Sequence, residues 1–354
     1  MGNLYLYAII DAARDGAVDA PGVDGARPVQ VLSQDGLGCL VSRHEGPALA
    51  DTSKEVLVRR LLAHQQVVES VMDGRAVLPV KFGTLLAGPE EARCLLSQGR
   101  GAFLDALASL GNKVEMELAA TWDRDRVLKE LGRDGEVARA RAAILAQHRG
   151  QPLTQQVLLG QFVKSCMDRR RAHYRERVMS ALQPMAAAVS HNLLLSDALV
   201  INVAFLVERP RLRAFDEALR SVDQLCDSEI TFRLIGPLPP YSFATVEVSP
   251  LRQPQLEEAR RTLDLEGPLT EGQVRRAYRR LAARQQRDLD PPDRHPGQAL
   301  ARLRQAEELL LRWCRARGET SHDSDGLFSI SIRGTRREQI EPSRFGQPGP
   351  LLPV

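Results

Sequence analysis

Apolar residues recur at two spacings along this chain, every second position in short runs and every third or fourth in long ones. The first marks strands and the second marks amphipathic helices. Residues 4–10 and 37–43 read as strands, and the Gly- and Pro-containing stretch 16–28 between them is expected to hold little regular structure. Leu57, Leu61, Val68, Val71 and Met72 line one face of a helix over residues 54–73, followed by an apolar strand from Val77 to Thr84. A second helix, residues 89–110, opens with Pro89, Glu90 and Glu91, which suit the unpaired N–H groups and dipole of a first turn. Val114, Met116, Leu118, Ala120 and Trp122 then alternate with Lys113, Glu115, Glu117, Ala119 and Thr121. That pattern predicts a half-buried strand whose Glu115 face is wet.

Residues 123–190 change character, being rich in Ala, Arg, Leu and Gln and interrupted only near Gly150 and Pro152. Two helices are expected there, packed as a hairpin, the second carrying Val163, Met167, Tyr174, Val178, Leu182 and Met185 at helical spacing. Beyond them come a strand at Leu199–Val207, a helix over 210–225, a strand at 230–234, a strand at 243–248 and, after mainly helical sequence, a last alternating strand at 327–333. This β-α-β-β-α-β order matches the ferredoxin-like plan. The expected fold is therefore α+β, with two sheet-containing, ferredoxin-like domains at residues 1–122 and 192–333. They are joined by the helical hairpin 123–191, a helical insert at 253–317 interrupts the second, and a flexible tail follows at 334–354.

A length of 354 residues suits two or three packed units, and 43% hydrophobic with 26% charged residues is ordinary for a globular chain able to bury a core. The opening MGNLYLYAII reads as a strand and lacks the layout of a secretory leader. The Ser or Thr that a myristoylation signal at Gly2 needs is absent, and no run reaches the ~20 apolar residues needed to cross a bilayer, so no membrane insertion is expected. Cys39, Cys94, Cys166, Cys226 and Cys314 are odd in number and scattered, which fits thiols in a reducing cytoplasm better than disulfides or zinc. The net charge of +3 is too small to pull the whole chain toward nucleic acid or acidic lipid.

Three segments resemble the gas vesicle accessory proteins of the L/F family: NLYLYAII at the start, RAVLPVKFGTLL at 75–86, and the block from Asn192 to Val248 containing NVAFLVER, FDEALRSVD and FRLIGPLPPYSFATVEV. The Pro-Val-Lys-Phe-Gly and Pro-Pro-Tyr-Ser-Phe strings are unusual and stand in the family's order. Lys81 replaces the arginine of the family string, keeping charge but losing the planar fork. The resemblance implies a protein without known catalysis that helps build the gas-filled shell by contacting its hydrophobic structural subunit and other accessory proteins. The location it implies is the cytoplasm and the gas vesicle.

Residues 255–313 resemble, in a degenerate form, the J-domain of co-chaperones. Val274, Ala277, Tyr278 and Leu281 form the apolar stripe of its second helix, and Ala299, Leu303, Ala306, Leu310 and Trp313 form a seam on the third. Gln286-Arg287-Asp288 stands where that family has His-Pro-Asp, so only the aspartate matches. His295-Pro296-Gly297 reads as a loop before the third helix. A divergent, expanded helix of the ferredoxin-like unit is the alternative origin.

The candidate partner-binding residues are Lys81 and Phe82 in the first string, Arg233, Pro239, Pro240, Tyr241 and Phe243 around the second, and Arg275, Arg276, Arg279 and Arg280 in the helical insert. The arginines suit an acidic protein partner, because no aromatic residues interleave to stack bases. Plain solvation, with Asp288, Asp290 and Asp293 nearby, explains them as well. The prolines either present Tyr241 for recognition or simply stiffen a turn between strands. Seven histidines show no metal spacing, and no nucleophile elbow or phosphate loop occurs. No metal, cofactor, small-molecule substrate, nucleic acid or catalytic residue is therefore expected.

Overall fold

The computed structural model describes residues 3–25, 28–45, 52–226, 229–287, 296–319 and 328–334. Gly2, Asp288, Asp290, Asp293, His295 and the tail beyond Gly334 lie outside the described residues.

The first sheet is built on β1 (Asn3–Asp11), with β2 (Gly16–Pro21), β3 (Pro28–Gln34), β4 (Leu37–His44) and β5 (Val77–Pro79) in the order β2-β3-β4-β1-β5. The short β6 (Leu85–Leu86) also pairs with β1. Seven consecutive residues of β1 are buried, because helices cover both of its faces. One face carries Leu4, Leu6 and Ile9 against Leu95, Leu96 and Phe103 of α2 (Pro89–Leu110), while the other carries Tyr5, Tyr7 and Ala8 against Val67 and Val68 of α1 (Lys54–Val71). A bulge between Leu6 and Ala8 changes which parity of residue points each way, so Tyr7 and Ala8 belong to one cluster.

Two expectations for this region fail. The stretch 16–28 contains strand β2, an edge strand where Pro21 and Gly16 are tolerated because one side needs no ladder. Its approach is pinned by Asp15, whose carboxylate accepts from the Ser33 amide at 2.6 Å and hydroxyl at 2.7 Å. On α1, Val68 is buried as expected, but Leu57 and Leu61 are exposed, and Arg60, His64 and Val67 are buried in their place.

The second sheet is wholly antiparallel, in the order β10-β7-β9-β8, from β7 (Lys113–Trp122), β8 (Ala188–His191), β9 (Leu199–Glu208) and β10 (Ile230–Leu238). The β-α-β-β-α-β succession assigned from sequence to residues 199–333 is thus laid out over 113–238 instead. β7 is central to this sheet and does not belong to the first. The reason is non-local: its ladders run along both β9 and β10, a choice of partner that its own alternation does not encode. α3 (Arg124–Arg133), α4 (Gly135–Gln147), α5 (Pro152–Leu182) and α6 (Leu212–Leu225) connect the strands. The expected hairpin therefore holds three helices, and Asp134 is the break. Its amide closes α3 on the Leu131 carbonyl while its side chain caps α4 at the Glu136 amide.

Met167, Tyr174, Val178 and Leu182 of α5, with Phe215 and Leu219 of α6, cover one face of this sheet. Ala204 and Leu206 on the other face join the core of the first sheet. After the short α7 (Tyr241–Ala244), β11 (Thr245–Pro250) forms a two-stranded ladder with β12 (Phe328–Arg333) and touches the first sheet through a single parallel bridge from Val246 to Val80, so the expected strands at 243–248 and 327–333 do not extend the second sheet. Between them α8 (Gln253–Thr262), α9 (Glu271–Arg287) and α10 (Pro296–Glu319) form a unit with its own core of Leu256, Leu263, Val274, Ala277, Leu303 and Leu310. Pro296 and Gly297, expected in a loop, begin α10.

Phe103 is fully buried, and its ring fills the space left by Gly99 one turn earlier on α2. Phe103→Ala is expected to lower the unfolding free energy by about 3–5 kcal/mol, read as an earlier urea midpoint with unchanged far-UV circular dichroism.

Candidate functional site

The two unusual strings, far apart in sequence, meet at one joint. Val80 donates its amide to the Tyr7 carbonyl at 2.9 Å on one side, and Lys81 donates to the Val246 carbonyl at 2.9 Å on the other. The LPVKFG segment is therefore stitched between the first sheet and β11. The Lys81 ammonium lies 3.2 Å from Glu247, which also binds Arg333 at 2.7 Å. Lys81 thus holds a monodentate ion pair, for which the lost fork matters little.

Under this segment lies a cluster of rings. The Tyr5 hydroxyl accepts from the Gly83 amide at 3.0 Å and lies 3.1 Å from His64 Nδ1, with the histidine tautomer deciding which of the two carries that proton. The Tyr7 hydroxyl accepts from the Val23 amide at 2.8 Å and shares a hydrogen bond with Ser42 at 2.7 Å. Phe82 meets His64 edge-on at 5.7 Å, and Tyr241 lies 6.3 Å from the same imidazole. Burial pulls the His64 pKa down to about 4, with the Val80 backbone acting weakly the other way, although Nε2 itself makes no hydrogen bond of normal geometry. Burial likewise pushes the Tyr5 and Tyr241 phenols up.

The second string enters from the opposite side. Pro239 and Pro240 are buried, and the Pro240 carbonyl accepts from the amides of Phe243 and Ala244 to start α7. Ser242 donates its amide to Glu115 Oε2 at 2.8 Å and its hydroxyl to Oε1 at 2.5 Å. Glu115, expected on a wet face, is 1% exposed because the α7 turn covers it. Burial raises its pKa to about 7 even though the Ser242 hydrogen bonds favour the charged form. Phe243 then joins the core of the first sheet.

Of the candidate residues, Lys81, Phe82, Pro239, Pro240, Tyr241 and Phe243 come together here. Pro239, Pro240 and Phe243 are buried, Phe82 and Tyr241 half-buried, and only Lys81 is open to solvent. Arg233 is exposed on β10, at the sheet edge, and takes no part. Arg275, Arg276, Arg279 and Arg280 are exposed on α9 in the separate three-helix unit, where Arg275 pairs with Glu271 and Arg280 with Asp264. The sequence reading missed Tyr5, Tyr7, His64, Ser242 and Glu115. A glutamate flanked by Val114 and Met116 in a strand was the one available signal. Among the described residues no group of three or more metal-ligating side chains converges, and no helix is long and apolar enough to cross a membrane.

A family model described as "Gas vesicle synthesis protein GvpL/GvpF" matches residues 3–245. The chain belongs to this family. Gas vesicle protein F of Streptomyces sp. (strain CB03234) is 30% identical over 245 residues, covering 68% of this chain and 99% of that protein. Gas vesicle protein L2 of Halobacterium salinarum (strain ATCC 700922 / JCM 11081 / NRC-1) is 26% identical over 257 residues, covering 68% and 90%. The crystal structure of the gas vesicle protein GvpF from Anabaena sp. PCC7120 superposes with a TM-score of 0.60 at 20% identity, over 68% of this chain and 98% of that one, which establishes a shared fold. The GvpL/GvpF match bears out the resemblance carried by the two strings. It ends where β11 begins, so the three-helix unit lies beyond it.

Two titrations of opposite sign should be readable at this joint. Glu115, with its pKa raised from 4.5 to about 7, stabilises the fold most below pH ~4.5, a contribution lost as pH rises through about 7. His64, with its pKa lowered from 6.5 to about 4, contributes stability above pH ~6.5 that is lost as pH falls through about 4. In Glu115→Gln, the difference in unfolding free energy from the natural protein is expected to shift in the variant's favour between pH ~4.5 and ~7 and level off above. A difference that stays flat in urea titrations across that range rules this out. Ser242→Ala, which strips the buried carboxylate of its hydroxyl partner, should cost about 1–3 kcal/mol.

Proposed function

We propose that this chain is a non-catalytic adaptor of gas vesicle biogenesis, which binds the hydrophobic shell subunit and other accessory proteins in the cytoplasm while the shell is built. The observation that carries the reading is the GvpL/GvpF match, which spans nearly the full length of relatives named for the gas vesicle. The physical need is that a subunit destined for a gas-facing wall exposes apolar surface before assembly and aggregates unless that surface is covered. The joint agrees with a scaffold role. Its titratable groups, His64, Glu115, Tyr5 and Tyr241, are packed inside the fold beside the two strings. The short edge strand β8 and the exposed helix faces are the surfaces available for strand addition or helix contact.

A co-chaperone role for α8–α10 is the second reading, motivated by the separate core of that unit and by the Val274, Ala277, Tyr278 stripe within it. Stimulation of an Hsp70 ATPase that disappears when this unit is removed would favour it.

The test is co-purification of the intact chain with the shell subunit and the other accessory proteins, together with loss of gas vesicles when the gene is removed. The intact chain is required, because a cut near residue 120 would strip β7 from the centre of its sheet. Retention of the shell subunit is expected. Normal vesicles without the gene, with no second copy present, would overturn the adaptor reading.

A further inference from the structure

The helical arm formed by α4 and the first half of α5 stands away from both sheets. None of residues 138–165 is buried, whereas the second half of α5 sinks Met167, Tyr174, Val178 and Leu182 into the core of the second sheet. An arm with no core of its own to complete nevertheless carries an apolar stripe. Leu153, 77% exposed, and Val157, 57% exposed, are followed by Gly160 and Lys164 on the same face of α5, at i, i+4, i+7 and i+11. Gly160 is the odd member. A glycine inside a helix weakens it relative to alanine, and here a Cβ would meet nothing, so no contact within the fold explains it. What a glycine there does offer is room for another backbone to come close.

Charge says what kind of partner that is. From Val137 to Ser165 there is no aspartate or glutamate, while Arg139, Arg141, Arg149 and Lys164 are all exposed. Among the described residues none of these four has an ion pair. The carboxylates that flank this segment are already held, Glu136 by Arg169 at 2.9 Å and Asp168 by Arg171 at 2.6 Å. A second copy of the chain would bring one such basic arm against another and be repelled. A lipid surface would call for a broader apolar face with aromatic residues, and the stripe has two aliphatic side chains and no ring.

We propose that this arm is a docking surface for an acidic amphipathic helix of a partner protein, whose aliphatic side chains pack between Leu153 and Val157, whose backbone approaches over Gly160, and whose carboxylates face the arm's arginines and Lys164. The proposal rests on the adaptor reading for the existence of a partner and adds its chemistry.

The experiment uses the intact chain and a fluorescently labelled synthetic helix with leucines at heptad spacing and glutamates elsewhere, followed by anisotropy at low and at physiological salt. Phosphatidylserine vesicles are tested in parallel by co-sedimentation. Saturable, salt-sensitive binding of the peptide is expected, weakened about tenfold or more by Val157→Glu, as for removal of an interface anchor. Gly160→Leu should weaken it similarly while making the helix more stable, which separates docking from folding. Leu225→Glu, at an exposed apolar position on α6, should leave it unchanged. Peptide binding insensitive to both arm variants, no peptide binding at all, or binding to vesicles without binding to peptide each overturns the proposal. If the shell subunit still co-purifies with the intact chain in any of those cases, this inference fails alone and the adaptor reading stands.

Discussion

The two hydrogen bonds from Ser242 to the buried carboxylate of Glu115 set the arrangement of the whole molecule. A carboxylate removed from water must have its lone pairs satisfied, and the amide and hydroxyl of one serine do so only if the α7 turn sits directly over β7. Once it sits there, Tyr241 faces His64, Phe243 enters the core beneath β1, and β11 runs beside Val80. The joint between the first sheet, the second sheet and the β11–β12 ladder depends on that one placement.

The same joint explains why so many ring-bearing residues gather in one place. Tyr7 occupies a β-bulge, which brings Tyr5 and Tyr7 onto the face where α1 delivers His64. Their hydroxyls then pin three separate backbone or side-chain partners, Gly83, Val23 and Ser42. An imidazole held neutral among phenols, and a glutamate held near neutrality beneath a turn, are struts whose ionisation works against the fold from opposite ends of the pH scale.

The family match and the architecture divide the chain at nearly the same place. The GvpL/GvpF core closes with α7. Beyond it the chain makes a strand that leaves, a three-helix unit with its own apolar centre, and a strand that returns to pair with the first. The return is anchored twice: the Gln98 amide donates to the Phe328 carbonyl at 2.7 Å and accepts from the Phe328 amide at 2.9 Å. At its end Gly334, with φ of +90°, lies so close to the Phe243 backbone that no Cβ would fit. The unit is thus carried by the core without interrupting it.

Local patterning determined a good deal of this protein. The extents of α2, β7 and β9, the α+β character, and the two strings that mark the family were all legible in the residues, because periodicity and capping are properties of neighbouring positions. Which strands pair was not legible. β7 alternates as any half-buried strand would, and nothing in Lys113–Trp122 says that it will lie between β9 and β10. Nor could alternation reveal that Glu115 is covered, since the residue covering it lies 127 positions away, or that Leu57 and Leu61 would face solvent while His64 turns inward. Burial is decided by what packs on an element from elsewhere in the chain, and only the tertiary structure supplies that.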